Sequence, residues 1–588
     1  MTLLNQSCLS SVRLVSILVR PALALVLLLI WLTVGSVSAQ VLPPVIDPTG
    51  RSGEPRFPED ESTAPKTPPA TPFILPPVEH PDLQPSPPQG PILRVFVTSI
   101  VVLGSTVFSD DELQNLTAPY ENRELTTEDF EELRRAITLL YVNKGYANSG
   151  AIIPDQTITG GVVYVQVIEG RLTDIRVEGT KWFRPSYFED RIALGVGPPF
   201  NMHPLRDRLQ LLLQDRRLER VNAEVKPGGR PGEAILDVHV EEANPIKVWA
   251  EFNNYQTPVV GAERGLLTIA HHNLTGYGDV ATLTYGGSRG VHPIIDTSYS
   301  FPLNAYETSL FMAYRRNDFL VVENPFRPLD IKSESEVYTI GLRQPIYHTL
   351  ADEVALTITG ERLFNKTTLL GEPFEFSSGA RNGIATVSAL RFGQEWTHRT
   401  AASVLAFRSR FSVGLDALGA TTNTGPVADS RFFSWLGQAS WTQRFQSTGI
   451  ELMNRMNLQI ANDRLFPLEQ FAVGGRFSVR GYRENTLVRD NAFLYSFEVH
   501  LPLLTSKNGY AIVQLAPFID VGRAWAAKGA TASPQTLASI GVGLRWNLWN
   551  RANANIYWGH QLNHVPALGP GGNLQDHGVH VQFLWNVF

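Results

Sequence analysis

Arg480 stands in the stretch FSVRGYREN, residues 477–485, a polar segment between two runs that alternate apolar and polar residues. A guanidinium matches a carboxylate through two parallel hydrogen bonds. Asp520, in GYAIVQLAPFIDVG at residues 509–522, is a partner carried on a period-2 pattern. That chemistry is charge pairing. Taken alone, VRGY also fits a turn with a solvated charge and a strand-capping aromatic, because short motifs recur by accident. The neighbouring imidazoles His271 and His272, and His577 with His580, read as strand-surface residues rather than metal ligands, so no metal and no cofactor is expected. No phosphate-cradling G-x-x-x-x-G-K-[ST] loop occurs. An enzymatic role is not expected.

The chain has 588 residues, enough for two to four domains, and a net charge of -6, which argues against a nucleic-acid partner. Arg13 and Arg20 precede an apolar run at 22–34 that ends in GSVSAQ, so residues 1–39 read as a secretory signal peptide cut after Ala39. Cys8, the only cysteine, lies ahead of that cut, which leaves the exported chain neither disulfides nor thiol chemistry. Residues 40–91 read as a proline-rich tether. Of the 40 prolines, 16 fall between Val41 and Pro91, a density that favours extended polyproline conformations.

A short element then repeats. TSIVVLGSTVF at 98–108 matches TDIRVEGTKWF at 173–183 in Thr98/Thr173, Ile100/Ile175, Val102/Val177, Gly104/Gly179 and Phe108/Phe183. Each copy continues as helix, helix, strand, strand. Thr126 or Thr127 caps a helix with Phe130, Leu133, Ile137, Leu140 and Tyr141 on one face, and Leu205, Leu209, Leu212 and Leu213 mark its counterpart. Two α+β domains are expected, at 92–170 and 171–244, each a helix pair on a small sheet whose open edge suits an extended peptide.

From residue 245 to 588 the pattern becomes repeated period-2 segments, which fits a sandwich as well as a barrel. Connection lengths decide between them. Sixteen strands are expected, starting near residues 246, 263, 279, 293, 306, 336, 353, 384, 402, 431, 449, 491, 510, 536, 552 and 577. Long connections at 317–335, 363–382, 415–430, 461–490 and 561–576 alternate with tight ones at 303–305, 446–448 and 549–551. Long loops on one rim and short turns on the other mark an outer-membrane barrel. In the last strand Val579, Val581, Phe583, Trp585 and Val587 form the lipid-facing set, with Phe588 out of phase.

In this arrangement VRGY lies in the longest loop, between the eleventh and twelfth strands. The thirteenth strand turns Ala511, Val513, Leu515, Pro517, Ile519 and Val521 to lipid and Phe518, Asp520 and Gly522 to the lumen. A lumenal carboxylate needs a partner, and a loop this long reaches back far enough to deliver Arg480. Gly481 lets the loop tip approach the wall, and Tyr482 packs in the lumen. Val479, Arg480, Gly481 and Tyr482 are expected to form the loop side of a latch, and Phe518, Asp520 and Gly522 the wall side.

VRGY, FIDVG, the NLTGYGD turn at 273–279 and the two preceding repeats together resemble the two-partner secretion transporters of Gram-negative outer membranes (TpsB; haemolysin activator and haemagglutinin secretion). The resemblance covers roughly residues 92–588. It implies two periplasmic POTRA domains, a sixteen-stranded barrel, and a lumenal ion pair mapped to Arg480 and Asp520. It also implies that the POTRA domains bind an unfolded secreted exoprotein (TpsA type), which crosses to the cell surface without nucleotide hydrolysis. The transporter would work as a monomer among outer-membrane lipid and lipopolysaccharide. An assembly factor that inserts other barrels is the alternative. Members often carry an N-terminal plug helix, for which only VLPPVID or PFIL is short enough of proline here.

Overall fold

The alternation of apolar and polar residues closes on itself in a computed structural model that describes residues 94–506, 511–548, 551–566 and 572–587. The expected signal peptide, the tether with its short plug candidates, Cys8 and Phe588 lie outside the described residues. No helix among the described residues is long and apolar enough to cross a membrane, so any crossing is made by strands.

The first repeat contains β1 (Arg94–Val97), β2 (Ser99–Leu103), α1 (Asp110–Thr117), β3 (Arg123–Thr126), α2 (Thr127–Asn143), β4 (Gly150–Ile152) and β5 (Val162–Ile168). The second contains β6 (Arg171–Glu178), α3 (Pro185–Ala193), α4 (Met202–Leu213), β7 (Leu218–Pro227) and β8 (Glu233–Glu242). In both, the first core strand runs parallel to the last, β2 with β5 and β6 with β8. The intervening strand pairs antiparallel on the far side, β4 with β5 and β7 with β8. The first repeat departs from the expected order by one extra antiparallel pair, β1 with β3.

The helices form where the sequence caps them. Thr126 accepts from the Asp129 amide while Asp129 accepts from the Thr126 amide, a reciprocal cap that starts α2. Its Leu133, Ile137 and Tyr141 then fall one turn apart on the buried face. Leu205, Leu209 and Leu212 of α4 do the same in the second repeat. The duplication extends to a carboxylate that gathers backbone amides. Glu169 accepts from Thr106 N (2.6 Å) and Val107 N (3.1 Å), and Glu242 accepts from Lys181 N (2.8 Å), Trp182 N (2.8 Å) and Phe183 N (3.1 Å). β8 ends on Glu242 and Glu169 directly follows β5, so in each case the end of the closing strand holds the loop leaving the opening strand.

The wall consists of β9 (Ile246–Asn253), β10 (Arg264–His271), β11 (Val280–Ser288), β12 (Val291–Pro302), β13 (Ser309–Leu320), β14 (Lys332–His348), β15 (Asp352–Leu369), the two-residue β16 (Glu372–Pro373), β17 (Ile384–Arg399), β18 (Ser403–Leu415), β19 (Phe433–Arg444) and β20 (Glu451–Ala461). A small hairpin follows, β21 (Phe471–Val473) with β22 (Leu487–Arg489). The wall resumes with β23 (Asn491–Thr505), β24 (Ala511–Trp525), β25 (Thr536–Leu548), β26 (Ala552–Gln561) and β27 (Val579–Asn586). β15 pairs directly with β17, so β16 is a fringe and sixteen antiparallel strands make the closed barrel, with β27 returning to β9. Each of the sixteen wall strands is thereby paired on both sides, the condition for crossing lipid.

Every expected strand is present within a few residues of its expected start. Two loops are shorter than expected. β13 runs on to Leu320 and β14 begins at Lys332, leaving 321–331, and β15 runs on to Leu369, leaving 370–383. β14 and β15 have 17 and 18 residues, well beyond the roughly 9–11 that cross a bilayer, so they project past the rim. The turns at the other rim stay short, and the second repeat docks there. Its Arg184 amide donates to Gly276 O (3.0 Å), its Arg184 guanidinium lies 4.5 Å from the Tyr277 ring centre, and Arg217 donates to Gly278 O. The NLTGYGD turn is thus a docking surface. Asn273 accepts from Gly278 N (2.9 Å) and Asp279 from Thr275 N (2.9 Å), which hold the turn in shape.

Candidate functional site

The residues 462–490 leave β20, fold into the lumen as the β21–β22 hairpin, and return to β23. Between the two hairpin strands the VRGY segment descends along the wall. Val479 is fully buried in a cluster with Leu436, Val473, Leu494 and Ala524. Gly522 makes room for it, since a Cβ there would lie 2.8 Å from Val479 Cγ2 and 2.5 Å from Val473 Cγ1.

Arg480 has no exposed surface and is the largest fully buried side chain among the described residues. Its Nε donates to Asp520 Oδ2 (2.7 Å), its Nη2 to Asp520 Oδ1 (2.8 Å), and its backbone amide to Asp520 Oδ2 (3.0 Å). Nη1 donates to Glu498, and Nη2 also reaches Ser496 Oγ at 3.2 Å. Ser496 Oγ donates in turn to Asp520 Oδ1 (2.7 Å). The guanidinium carbon sits 3.6 Å from the centre of the Phe518 ring. A buried charge persists only when paired and hydrogen-bonded, and here two carboxylates and a hydroxyl surround one cation.

The pleat explains this convergence. β23 and β24 are neighbours with Ser496 opposite Asp520 and Glu498 opposite Phe518. Period-2 alternation turns all four side chains to the lumen. Glu498 extends the network further, since its Oε1 accepts from Tyr557 OH (2.8 Å) and lies 2.8 Å from His500 Nε2, while Arg545 Nη1 lies 2.7 Å from the same nitrogen. Ser496, Glu498 and His500 were visible only as the polar face of one strand; nothing in the sequence singled out Glu498 as the second carboxylate on Arg480.

Gly481 has φ +93, and a Cβ would lie 2.7 Å from Gly559 O, so only glycine fits this backbone-on-backbone approach. Its amide faces His580 Nε2 at 3.4 Å and its carbonyl accepts from Gln561 Nε2 (2.8 Å). His580 is therefore a buried lumenal residue, which corrects its reading as a strand-surface histidine. His577 sits on an exposed turn, and His271 packs its ring 5.9 Å from Trp182 of the second repeat. Tyr482 is buried, with its hydroxyl 2.7 Å from Asn563 O and 2.9 Å from Ala538 O.

Two further ion pairs hold the same loop and escaped sequence reasoning. Glu469, on the descending limb, accepts from Arg391 Nη2 (2.7 Å) and Nη1 (3.1 Å), while Arg391 Nε donates to Glu361 (2.8 Å). The Arg391 and Glu469 side chains are each 6 % exposed. Arg483 pairs with Glu323 (2.9 Å) on the β13–β14 loop and with Asp576 on the β26–β27 loop. The loop is thus tied to β17, to the β23–β24 pair and to two other rim loops. No group of three or more His, Cys, Asp or Glu side chains among the described residues is arranged to hold a metal ion.

Two α+β repeats, the second docked on the short-turn rim of a sixteen-stranded lipid-facing barrel, with an ion-paired loop in the lumen, define an outer-membrane secretion pore. Residues 232–546 match the haemolysin secretion/activation protein family ShlB/FhaC/HecB, and residues 95–170 match the ShlB-type POTRA domain. The chain belongs to that family. It is 26% identical over 415 residues to the outer membrane transporter CdiB of Escherichia coli, covering 68% of each chain. It is 23% identical over 485 residues to the hemolysin transporter protein ShlB of Serratia marcescens, covering 78% of this chain and 83% of that one. The solved structure of CdiB from Escherichia coli superposes with a TM-score of 0.63 at 21% identity, over 87% of this chain and 93% of the other. The protein is an outer-membrane transporter that secretes a partner exoprotein, with its POTRA domains in the periplasm.

Proposed function

We propose that the loop at 462–490 is the movable occupant of the secretion path and that Val479, Arg480, Gly481 and Tyr482 latch it against Phe518, Asp520 and Gly522. The observation that carries this reading is the burial of Arg480 between two carboxylates of adjacent wall strands. A cation so enclosed holds one loop position strongly and releases it only when its partners are re-solvated. The exoprotein passes the lumen extended, and its folding outside draws it through.

Capture belongs to the repeats. β6 pairs only with β8 among the described residues, so its second edge is available to an extended peptide. Charged Arg171, Asp174, Arg176 and Glu178 along β6 discourage self-association at that edge. The transporter acts as a monomer in outer-membrane lipid and lipopolysaccharide. Deleting residues 92–242 tests the division of labour. The barrel should still insert, with heat-modifiable mobility on gels, while the partner no longer reaches the cell surface. Secretion that survives the deletion removes the capture role.

A further inference from the structure

A cavity of about 180 Å³ lies where α3 and α4 of the second repeat face the short turn at 305–307 and the end of β14 at 345–348. Its two walls differ in chemistry. On the repeat side stand Arg191 and Arg208, neither of which makes an ion pair among the described residues. Arg191 stacks over Tyr187 with its guanidinium carbon 3.7 Å from the ring centre and donates from Nη1 to the Tyr187 carbonyl (3.1 Å), while its Nε is buried without a hydrogen-bond partner. The Arg208 stem lies close against Gly195.

Neither carboxylate of the cavity answers these cations. Asp215 is occupied by Arg217, which donates to it from its backbone amide (3.0 Å), Nε (2.8 Å) and Nη2 (2.6 Å). Glu307 faces His348 at 3.7 Å. Two guanidiniums without a carboxylate partner on one wall therefore suit an external anion.

The barrel wall of the cavity says where that anion comes from. It is built at the periplasmic ends of the strands, where β12 ends at Pro302 and β14 at His348. Tyr306 is 65% exposed and Tyr347 56%, with Leu303 and Ile346 exposed beside them. Tyrosines and aliphatics exposed at the ends of membrane strands lie at the depth of lipid headgroups. A guanidinium pair at that depth suits a phosphodiester, to which arginine bonds in bidentate fashion.

We propose that this cavity binds the headgroup of an anionic phospholipid of the periplasmic leaflet, with Arg191 and Arg208 on its phosphate and Tyr306 and Tyr347 beside its glycerol and upper chains. The lipid then joins the second POTRA domain to the membrane surface and fixes its tilt beneath the barrel.

The test uses the full chain in nanodiscs of phosphatidylethanolamine with a minor fraction of phosphatidylglycerol, read by native mass spectrometry of retained lipid and by hydrogen exchange of α3 and α4. The unmodified protein should retain phosphatidylglycerol preferentially. Arg191→Gln and Arg208→Gln should each lower that preference about fivefold, and the double variant about 25-fold, the scale of one basic side chain at an anionic surface. Arg206→Gln, on α4 but outside the cavity, should retain the preference, which separates a lost site from a misfolded repeat. Equal retention by the double variant and the unmodified protein overturns the proposal. So does equal protection of α3 and α4 by inorganic phosphate in discs without phosphatidylglycerol, which would assign the cavity to a free anion.

Discussion

Arg480→Ala and Asp520→Ala should not cost the same. Removing the arginine side chain deletes four hydrogen bonds and leaves Asp520 and Glu498, diagonal neighbours on adjacent strands, without the cation between them. Breaking a buried ion pair from one side costs about 3–5 kcal/mol because the remaining charge is uncompensated. Removing Asp520 instead leaves Arg480 with Glu498 and Ser496, so only the charge-assisted bonds are lost, about 1.5–3 kcal/mol. Amide exchange of the β21–β22 hairpin in the reconstituted full chain measures the free energy of loop opening. Arg480→Ala should accelerate that exchange by about two to four decades and Asp520→Ala by about one to two, at 1.4 kcal/mol per decade. The double variant should fall short of the sum, because the two residues share one network, and adding Glu498→Gln should recover part of the loss. Heat-modifiable mobility of the barrel should be unchanged throughout. Equal effects of the two single variants, or strictly additive ones, would refute the shared-cation reasoning.

Arg391→Ala should strand Glu361 and Glu469, loosening residues 465–470 more than the VRGY segment and reducing secretion less than Arg480→Ala, checked by exchange and by secreted partner. Arg217→Ala should free Asp215, Tyr187 and the Gly278 carbonyl at once and broaden the distance distribution between spin labels on the second repeat and the barrel. In the first repeat, burial favours a neutral Glu169, but the bonds from Thr106, Tyr141 and Val107 outweigh it and hold its carboxyl below the usual glutamate value. Its folded pKa is depressed, so its contribution is fully present above the unfolded value near 4.5 and fades as pH falls through the folded one. Exchange from α2 should rise below about pH 4.5, and Glu169→Gln should flatten that dependence.

The barrel was legible because lipid imposes a strict period of two, and its loops sort by length between the rims. Where strands leave the lipid that constraint ends. Lys332, Glu334 and Glu336 of β14, and Asn365, Lys366 and Thr367 of β15, show no apolar face, so these strand ends read as loop. β1 was missed for a related reason, being four residues that pair only with β3 and directly follow the proline-rich run. The contact of Arg480 with Asp520 was legible because the long loop and the phase of β24 each point into the lumen. Glu498 has the same phase on β23, but its nearness to Asp520 depends on the register of the β23–β24 hairpin, which no residue type reports. Glu469 with Arg391 was less accessible still, since many lumenal arginines offer equivalent partners to a loop carboxylate.

Whether the loop at 462–490 must move for the partner to pass is tested most directly by tethering it. A Cβ at Gly522 would lie 2.8 Å from Val479 Cγ2, close enough for Val479→Cys with Gly522→Cys to form a disulfide. Cys8 is the only natural cysteine, so the new pair has little competition. Secreted partner is measured with the pair oxidised and then reduced, alongside each single cysteine variant. The account predicts that secretion from the double variant stops on oxidation and returns on reduction to the level of the reduced pair, while neither single variant responds to the oxidant. Undiminished secretion from the fully oxidised protein would contradict it, because the partner would then pass a loop that cannot leave the wall.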